Sequence, residues 1–169
     1  MRVLIPHEEI VEMCKDIGDK LSKKFEGKNP IVVCVLKGAC PFHSELIKHM
    51  NIDMELDYIQ VSSYQGTEST GKLIIKKDLD FDIAGRDVII VEDIVDSGNT
   101  LHTLRPILEA RNPNSLTFVC MLDKPSRRKV EFEADFVGKV IDDLFVIGFG
   151  LDLDEKYRNL KDVLVYNED

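Results

Sequence analysis

The chain has no long hydrophobic run. Its longest uninterrupted apolar stretch, Ile31 to Leu36, is six residues, whereas about 20 are needed to span a bilayer. The N-terminus offers only Arg2 and no apolar stretch with a small-residue cleavage site, so no secretory signal is expected. Positive charge is also scarce: 22 Lys and Arg stand against 31 Asp and Glu, a net charge of −9. General nucleic-acid binders draw most of their affinity from phosphate neutralisation, so this balance argues against that class. The four cysteines, Cys14, Cys34, Cys40 and Cys120, contain no Cys-x-x-Cys pair, and His7, His43, His49 and His102 lack the spacing of zinc ligands. Cys14 sits at helical spacing among apolar residues, and Cys34 and Cys120 lie in strand-like runs. The thiols are therefore read as buried, free and reduced. A cytoplasmic protein is expected, with no structural metal, no membrane contact and no nucleic-acid partner.

What is present suits one globular domain, residues 1–169. A chain of 169 residues with 44% hydrophobic content buries roughly 70% of the surface its unfolded form exposes. From Glu8 to Phe25, Ile10, Cys14, Ile17, Leu21 and Phe25 recur every three or four positions. This predicts a helix with one buried face, preceded by Pro6 and stopped by Gly27. Ile31 to Leu36 is a continuous β-rich run of the kind a sheet covered on both faces requires. Lys37-Gly38 ends it, and Pro41 opens a second helix with Phe42, Leu46 and Met50 on its apolar side.

Next, Met54, Leu56 and Tyr58 alternate with polar residues, and Leu73 to Ile75 forms a further run. The polar segment Ser62 to Thr70 between them is about ten residues, longer than the usual hairpin loop of two to five, which suggests a binding loop or lid. Val88 to Val91 predicts another buried strand. Thr100 to Ala110 predicts a helix with Leu101, Leu104 and Leu108 on one face, although Pro106 should kink it or move its boundary. Strand-like runs follow at Leu116 to Leu122, Phe136 to Ile141, Phe145 to Phe149 and Val163 to Tyr166. This order predicts an α/β fold: a mainly parallel sheet flanked by helices, with an antiparallel hairpin beside it. The basic run Arg127-Arg128-Lys129 and the pair Asp142-Asp143 are read as solvated turns, His102 as a helix-surface residue, and Phe132 and Phe149 as core.

The most informative stretch is Val88-Ile-Ile-Val-Glu92-Asp93-Ile-Val-Asp96-Ser97-Gly98-Asn99-Thr100. A buried strand runs into a loop of small, hydroxylated residues that opens a helix. Unpaired N–H groups and the partial positive charge of a helix N-terminus suit such a turn to a phosphate. Gly98 permits close backbone approach, while Ser97 and Thr100 offer hydroxyls. The place also fits the rule that open α/β sheets bind ligands beyond the carboxyl ends of their strands. Glu92, Asp93 and Asp96 would repel a bare anion, so the ligand must present hydroxyls, a metal ion or a titrating nitrogen to them. A sugar phosphate meets that demand. One acid would be enough to cap the helix, at about 1 kcal/mol; three around one turn ask for more.

This segment closely resembles the phosphoribosyl-pyrophosphate (PRPP) signature of type I phosphoribosyltransferases. Leu36-Lys37-Gly38, Ser63-Tyr64, Leu122-Asp123-Lys124-Pro125, Phe145-Val146-Ile147-Gly148, Asp152 and Tyr157-Arg158-Asn159-Leu160 resemble the purine-salvage branch, the hypoxanthine phosphoribosyltransferases. The resemblance implies transfer of the 5-phosphoribosyl group of PRPP to hypoxanthine, and to guanine, giving IMP or GMP and pyrophosphate. It implies that Glu92 and Asp93 bind the ribose hydroxyls directly or through Mg2+. Asp96, Ser97, Gly98, Asn99 and Thr100 would hold the 5-phosphate, with Asp96 also facing purine N7 as the catalytic base or acid. Lys124 would contact the 6-oxygen of the base, Phe145 would stack on its ring, and Val146 would meet its edge through the backbone. Asp152 would reach a second Mg2+, while Lys37, Gly38 and Arg158 would contact pyrophosphate. Ser63 and Tyr64 would belong to a lid of about 62–71, and the N- and C-terminal parts would form a small hood. A homodimer or homotetramer acting on small-molecule substrates is implied. The rival expectation is a PRPP-sensing regulator that binds RNA or DNA; it would need a basic face or an added binding segment.

Overall fold

The computed structural model describes residues 1–63 and 72–167. It begins with β1 (Arg2–Ile5), α1 (His7–Lys24), β2 (Ile31–Leu36), α2 (Cys40–Ile47), β3 (Glu55–Ser63) and β4 (Leu73–Lys77). There follow β5 (Asp87–Val95), α3 (Asn99–Glu109), β6 (Ser115–Asp123), a 3-10 turn at Pro125–Arg127, β7 (Phe136–Val140), β8 (Val146–Ile147) and β9 (Val163–Val165). The main sheet has the order β4-β3-β2-β5-β6-β7, parallel throughout except for β4, which pairs antiparallel with β3. A small antiparallel sheet, β1-β9-β8, joins the two ends of the chain.

The continuous apolar strands are buried because both faces of the sheet are covered. Val32, Ile89, Val91, Val119 and Met121 pack with Ile10, Cys14, Leu21, Phe42 and Leu46 of α1 and α2 on one side. Ile31, Val33, Ile90 and Phe118 pack with Leu101, Leu104 and Leu108 of α3 on the other. Each strand thus gives alternate residues to two cores, the pattern required of a parallel sheet between helical layers. None of the helices among the described residues is long and apolar enough to cross a membrane.

Several expectations need correction. β3 buries the opposite phase from the one its apolar residues suggested: Asp57 and Ile59 are buried while Leu56 is exposed. The buried Asp57 carboxylate accepts hydrogen bonds from the N–H groups of Tyr58, Asp80 and Phe81, tying the segment after β4 to the sheet. Pro106 lies within α3 without ending it. Its ring is on the exposed side, where water can solvate the carbonyl that loses its partner. Cys40, unlike the other three cysteines, is exposed, and all four thiols are free. β1 escaped the sequence reading because it is four residues long and gains partners only when β9 arrives.

Candidate active site

The carboxyl ends of β2, β3, β5 and β6 lie along one edge of the sheet, β3 ending there at Ser63 and the other three followed by Lys37, by Asp96 and by Lys124. β5 runs four residues beyond the Val88–Val91 expected from sequence, so Glu92 and Asp93 stand on the strand itself, not in the turn. A cavity of about 200 Å³ is lined by residues 92–101, which include Glu92, Asp93, Asp96, Ser97, Gly98, Asn99 and Thr100. A second, also of about 200 Å³, is lined by Asp93, Ile94, Asp96, Lys124, Phe145, Val146, Leu151 and Asp152. Asp93 and Asp96 face both.

The turn after β5 is built for close approach. Gly98 has φ +84°, a conformation that costs other residues, and it caps α3 directly. Residues 127–129 turn out to hold this turn from behind. Arg128 donates from Nη1 to the Asp96 carbonyl at 2.8 Å, from Nε to the Phe132 carbonyl at 2.8 Å and from Nη2 to Asp123 Oδ1 at 2.7 Å. Lys129 N–H donates to the Ser97 carbonyl at 2.9 Å. Arg127 lies between Asp96 Oδ1 at 3.4 Å and Asp143 Oδ2 at 3.5 Å. The basic run is therefore only partly a solvated turn. The sole signal in the sequence was its position just after Lys124. His102, Asp142, Asp143, Phe132 and Phe149 lie as expected.

Glu92 and Asp93 form a desolvated acidic pair. Burial pushes the Glu92 carboxyl well above the usual carboxylate range, and the adjacent Asp93 charge adds to the rise. Burial also raises Asp93, against the pull of backbone N–H groups and Arg158. Glu92 Oε1 accepts from Asp93 N–H at 2.9 Å, and Asp93 Oδ1 from Ile94 N–H at 2.6 Å. Gly38, after β2, packs so closely on Asp93 that a Cβ there would strike Oδ2. Lys37 donates to Glu155 Oε2 at 2.9 Å.

Arg158 donates from Nη1 to the Gly150 carbonyl at 2.7 Å and from Nη2 to Glu155 Oε1 at 3.2 Å, with Asp152 Oδ2 3.4 Å away. Its Nε is buried without a hydrogen-bond partner, as is Asp96 Oδ1. Unsatisfied buried polar atoms are costly; Asp96 Oδ1 has only the Arg127 guanidinium near it, at 3.4 Å. Lys124 is buried, its Nζ 4.0 Å from Asp96 Oδ2.

Phe145 is half exposed, and Tyr166 meets its ring edge-on at 6.0 Å. Tyr166 N–H donates to the Phe145 carbonyl, and Val146 is the next residue in register, opposite Val165. Alternation in an antiparallel ladder then turns the N–H and C=O of Val146 away from β9, toward the free edge of β8. Ser63 ends β3 on the same edge of the main sheet. Tyr64 and most of the expected lid, residues 64–71, lie outside the described residues. Glu155 and Tyr166 neighbour these groups without having been singled out in the sequence, and Arg128 was read there only as part of a solvated turn.

Among the described residues no three His, Cys, Asp or Glu side chains converge into a metal cage. One or two carboxylates, completed by substrate phosphates, is nevertheless how proteins usually hold magnesium. The hard oxygen donors of Glu92, Asp93 and Asp152 fit that arrangement.

Residues 4–156 match the family described as phosphoribosyl transferase domain. The chain is 48% identical over 169 residues to a hypoxanthine-guanine phosphoribosyltransferase of Streptococcus thermophilus, covering 99% of this chain and 94% of that protein. A crystal structure of a hypoxanthine-guanine phosphoribosyltransferase from Bacillus anthracis superposes with TM-score 0.95 at 43% identity, covering 99% of each chain. One of a hypoxanthine phosphoribosyltransferase from Staphylococcus aureus gives TM-score 0.95 at 45% identity, covering 99% of this chain and 91% of that one.

Proposed function

The chain belongs to the phosphoribosyltransferase family, and on that premise we infer that it is a purine-salvage transferase. It moves the 5-phosphoribosyl group of PRPP to hypoxanthine or guanine, giving IMP or GMP and pyrophosphate. The observation that carries this reading is the pair of adjoining cavities that share Asp93 and Asp96, one beside a phosphate-type turn and one beside Lys124 and Phe145.

The roles follow from the chemistry. Residues 96–100 take the 5-phosphate through backbone N–H groups and the hydroxyls of Ser97 and Thr100. Glu92 and Asp93 accept hydrogen bonds from the ribose hydroxyls. Phe145 stacks on the purine, Val146 meets its edge, and Lys124 stabilises the negative charge that grows on the 6-oxygen as the ring gives up its proton. Asp96, which lines both cavities, takes that proton; such help is worth about 10²–10⁴-fold.

Breaking the bond at C1 leaves negative charge on pyrophosphate, which the cations of Lys37 and Arg158 and the N–H of Gly38 meet. Glu92, Asp93 and Asp152 would hold magnesium, which when bound would further neutralise that leaving group. The reading includes a cytoplasmic homodimer or homotetramer, and the four free thiols suit a reducing compartment.

The test is to incubate the purified protein with PRPP, magnesium and each base in turn. IMP should form from hypoxanthine and GMP from guanine, with adenine a far poorer substrate. Absence of turnover with every base would overturn the reading, and equal use of adenine would overturn the role of Lys124.

A further inference from the structure

Arg128 does not line either cavity of the site, yet it governs the turn that does. β5 and β6 end side by side, Val95 opposite Asp123, and Lys124 N–H donates to the Val95 carbonyl at 2.9 Å. Beyond that pair the chains part, one into Asp96-Ser97-Gly98 and the other into the 3-10 turn that delivers Arg128. The Arg128 stem packs against Gly98, where an added Cβ would stand 2.9 Å from Arg128 Cδ. Its side chain is 13% exposed and that of its partner Asp123 is 5%.

The consequence lies in peptide geometry. In a trans peptide the C=O and the following N–H point in opposite directions. The Asp96 carbonyl is held by Arg128, so the Ser97 N–H points away from Arg128. The Ser97 carbonyl is held by Lys129 N–H, so the Gly98 N–H points away from it as well. Two successive carbonyls are thus tied down on one side of the turn, which leaves two successive amides to the other.

We propose that Arg128 is a positioning residue for the transfer reaction: by clamping the Asp96 carbonyl it aims the Ser97 and Gly98 amides at the 5-phosphate. Its guanidinium fork suits this task better than an ammonium does, because it reaches Asp96, Phe132 and Asp123 together. The inference rests on the phosphate-turn reading given above.

Calorimetry of the full chain in magnesium buffer separates the possibilities, with ribose 5-phosphate and pyrophosphate titrated individually. Arg128→Met should weaken ribose 5-phosphate roughly ten- to a hundred-fold, the loss expected for a charged hydrogen bond. Pyrophosphate, held elsewhere, should stay within about two-fold. The KM for PRPP should rise by more than kcat falls. Arg128→Lys keeps the charge and one hydrogen bond, serves as the second variant should Arg128→Met fail to fold, and should lose about three- to ten-fold.

Unchanged ribose 5-phosphate affinity in Arg128→Lys would overturn the proposal. So would parallel weakening of both ligands with a lowered melting temperature, the mark of a merely structural residue. A parent protein that bound no ribose 5-phosphate would instead overturn the reading of the site itself.

Discussion

Lys37 and Glu155 join two distant parts of the chain: the ammonium donates to Glu155 Oε2 at 2.9 Å across 118 positions of sequence. Glu155 also accepts from Arg158 at 3.2 Å. The Lys37 hydrogen bond first, and Arg158 second, hold its carboxyl below the usual range. One carboxylate therefore neighbours both cations proposed for pyrophosphate and would compete with that anion for them. Glu155→Gln should tighten pyrophosphate by about two- to five-fold at low ionic strength, the scale of an exposed ion pair. The gain should shrink as salt screens the site. Calorimetry at two salt concentrations checks both, and weaker binding by the variant would contradict the idea.

Asp96→Asn preserves the shape of the side chain and removes its capacity to accept a proton. Turnover should fall by about 10²–10⁴-fold while PRPP affinity changes little, because the turn is anchored through the Asp96 backbone carbonyl. Steady-state kinetics alongside equilibrium binding separates the two. Unaltered turnover would remove Asp96 from proton transfer.

Glu92 is destabilising where it is buried. Its folded carboxyl is raised by desolvation first and by the Asp93 charge second. A raised carboxyl favours the fold below its ordinary value of 4.5 and loses that contribution as pH rises through the folded value. At pH 8 the ligand-free protein therefore bears more of that penalty than at pH 5. Glu92→Gln should melt several degrees higher than the parent at pH 8, with the gap narrowing toward pH 5, and should lose activity, a trade-off common at functional sites. Thermal melts at the two pH values measure this; a lower melting temperature for the variant at pH 8 would count against it.

His43 should make the fold acid-sensitive. It is buried between α2 and the sheet, with Nε2 3.2 Å from the Val32 carbonyl, and burial lowers it below its ordinary 6.5. A base lowered in the folded state contributes fully above 6.5 and is lost as pH falls from there through the folded value. The slope is at most about 1.4 kcal/mol per pH unit for one proton. Comparing melts of the parent and His43→Phe between pH 7 and 5 isolates the term. An equal pH dependence in both would refute it.

The sheet was legible where burial on both faces demands a continuous apolar run, as in β2 and β6. β3 misled because its buried phase carries Asp57, and a carboxylate that feeds three backbone N–H groups leaves no hydrophobic trace. β1 was missed because a strand of four residues has too little periodicity to detect, whereas β8 lies within the expected run Phe145 to Phe149. The PRPP-like segment could be read because it is contiguous. Arg128 was misjudged because a guanidinium beneath a turn and one in solvent are spelled alike.

From sequence alone came the α/β order, the acid-rich segment leading from β5 into α3 and the family resemblance, since each is written in neighbouring residues whose spacing local physics fixes. The tertiary structure alone decided that Gly38 lies against Asp93, that Lys37 meets Glu155, and that Arg128 secures Asp96 from behind. Those relations depend on how separate strand ends come to share one edge of a sheet. Linear spacing does not encode that distance.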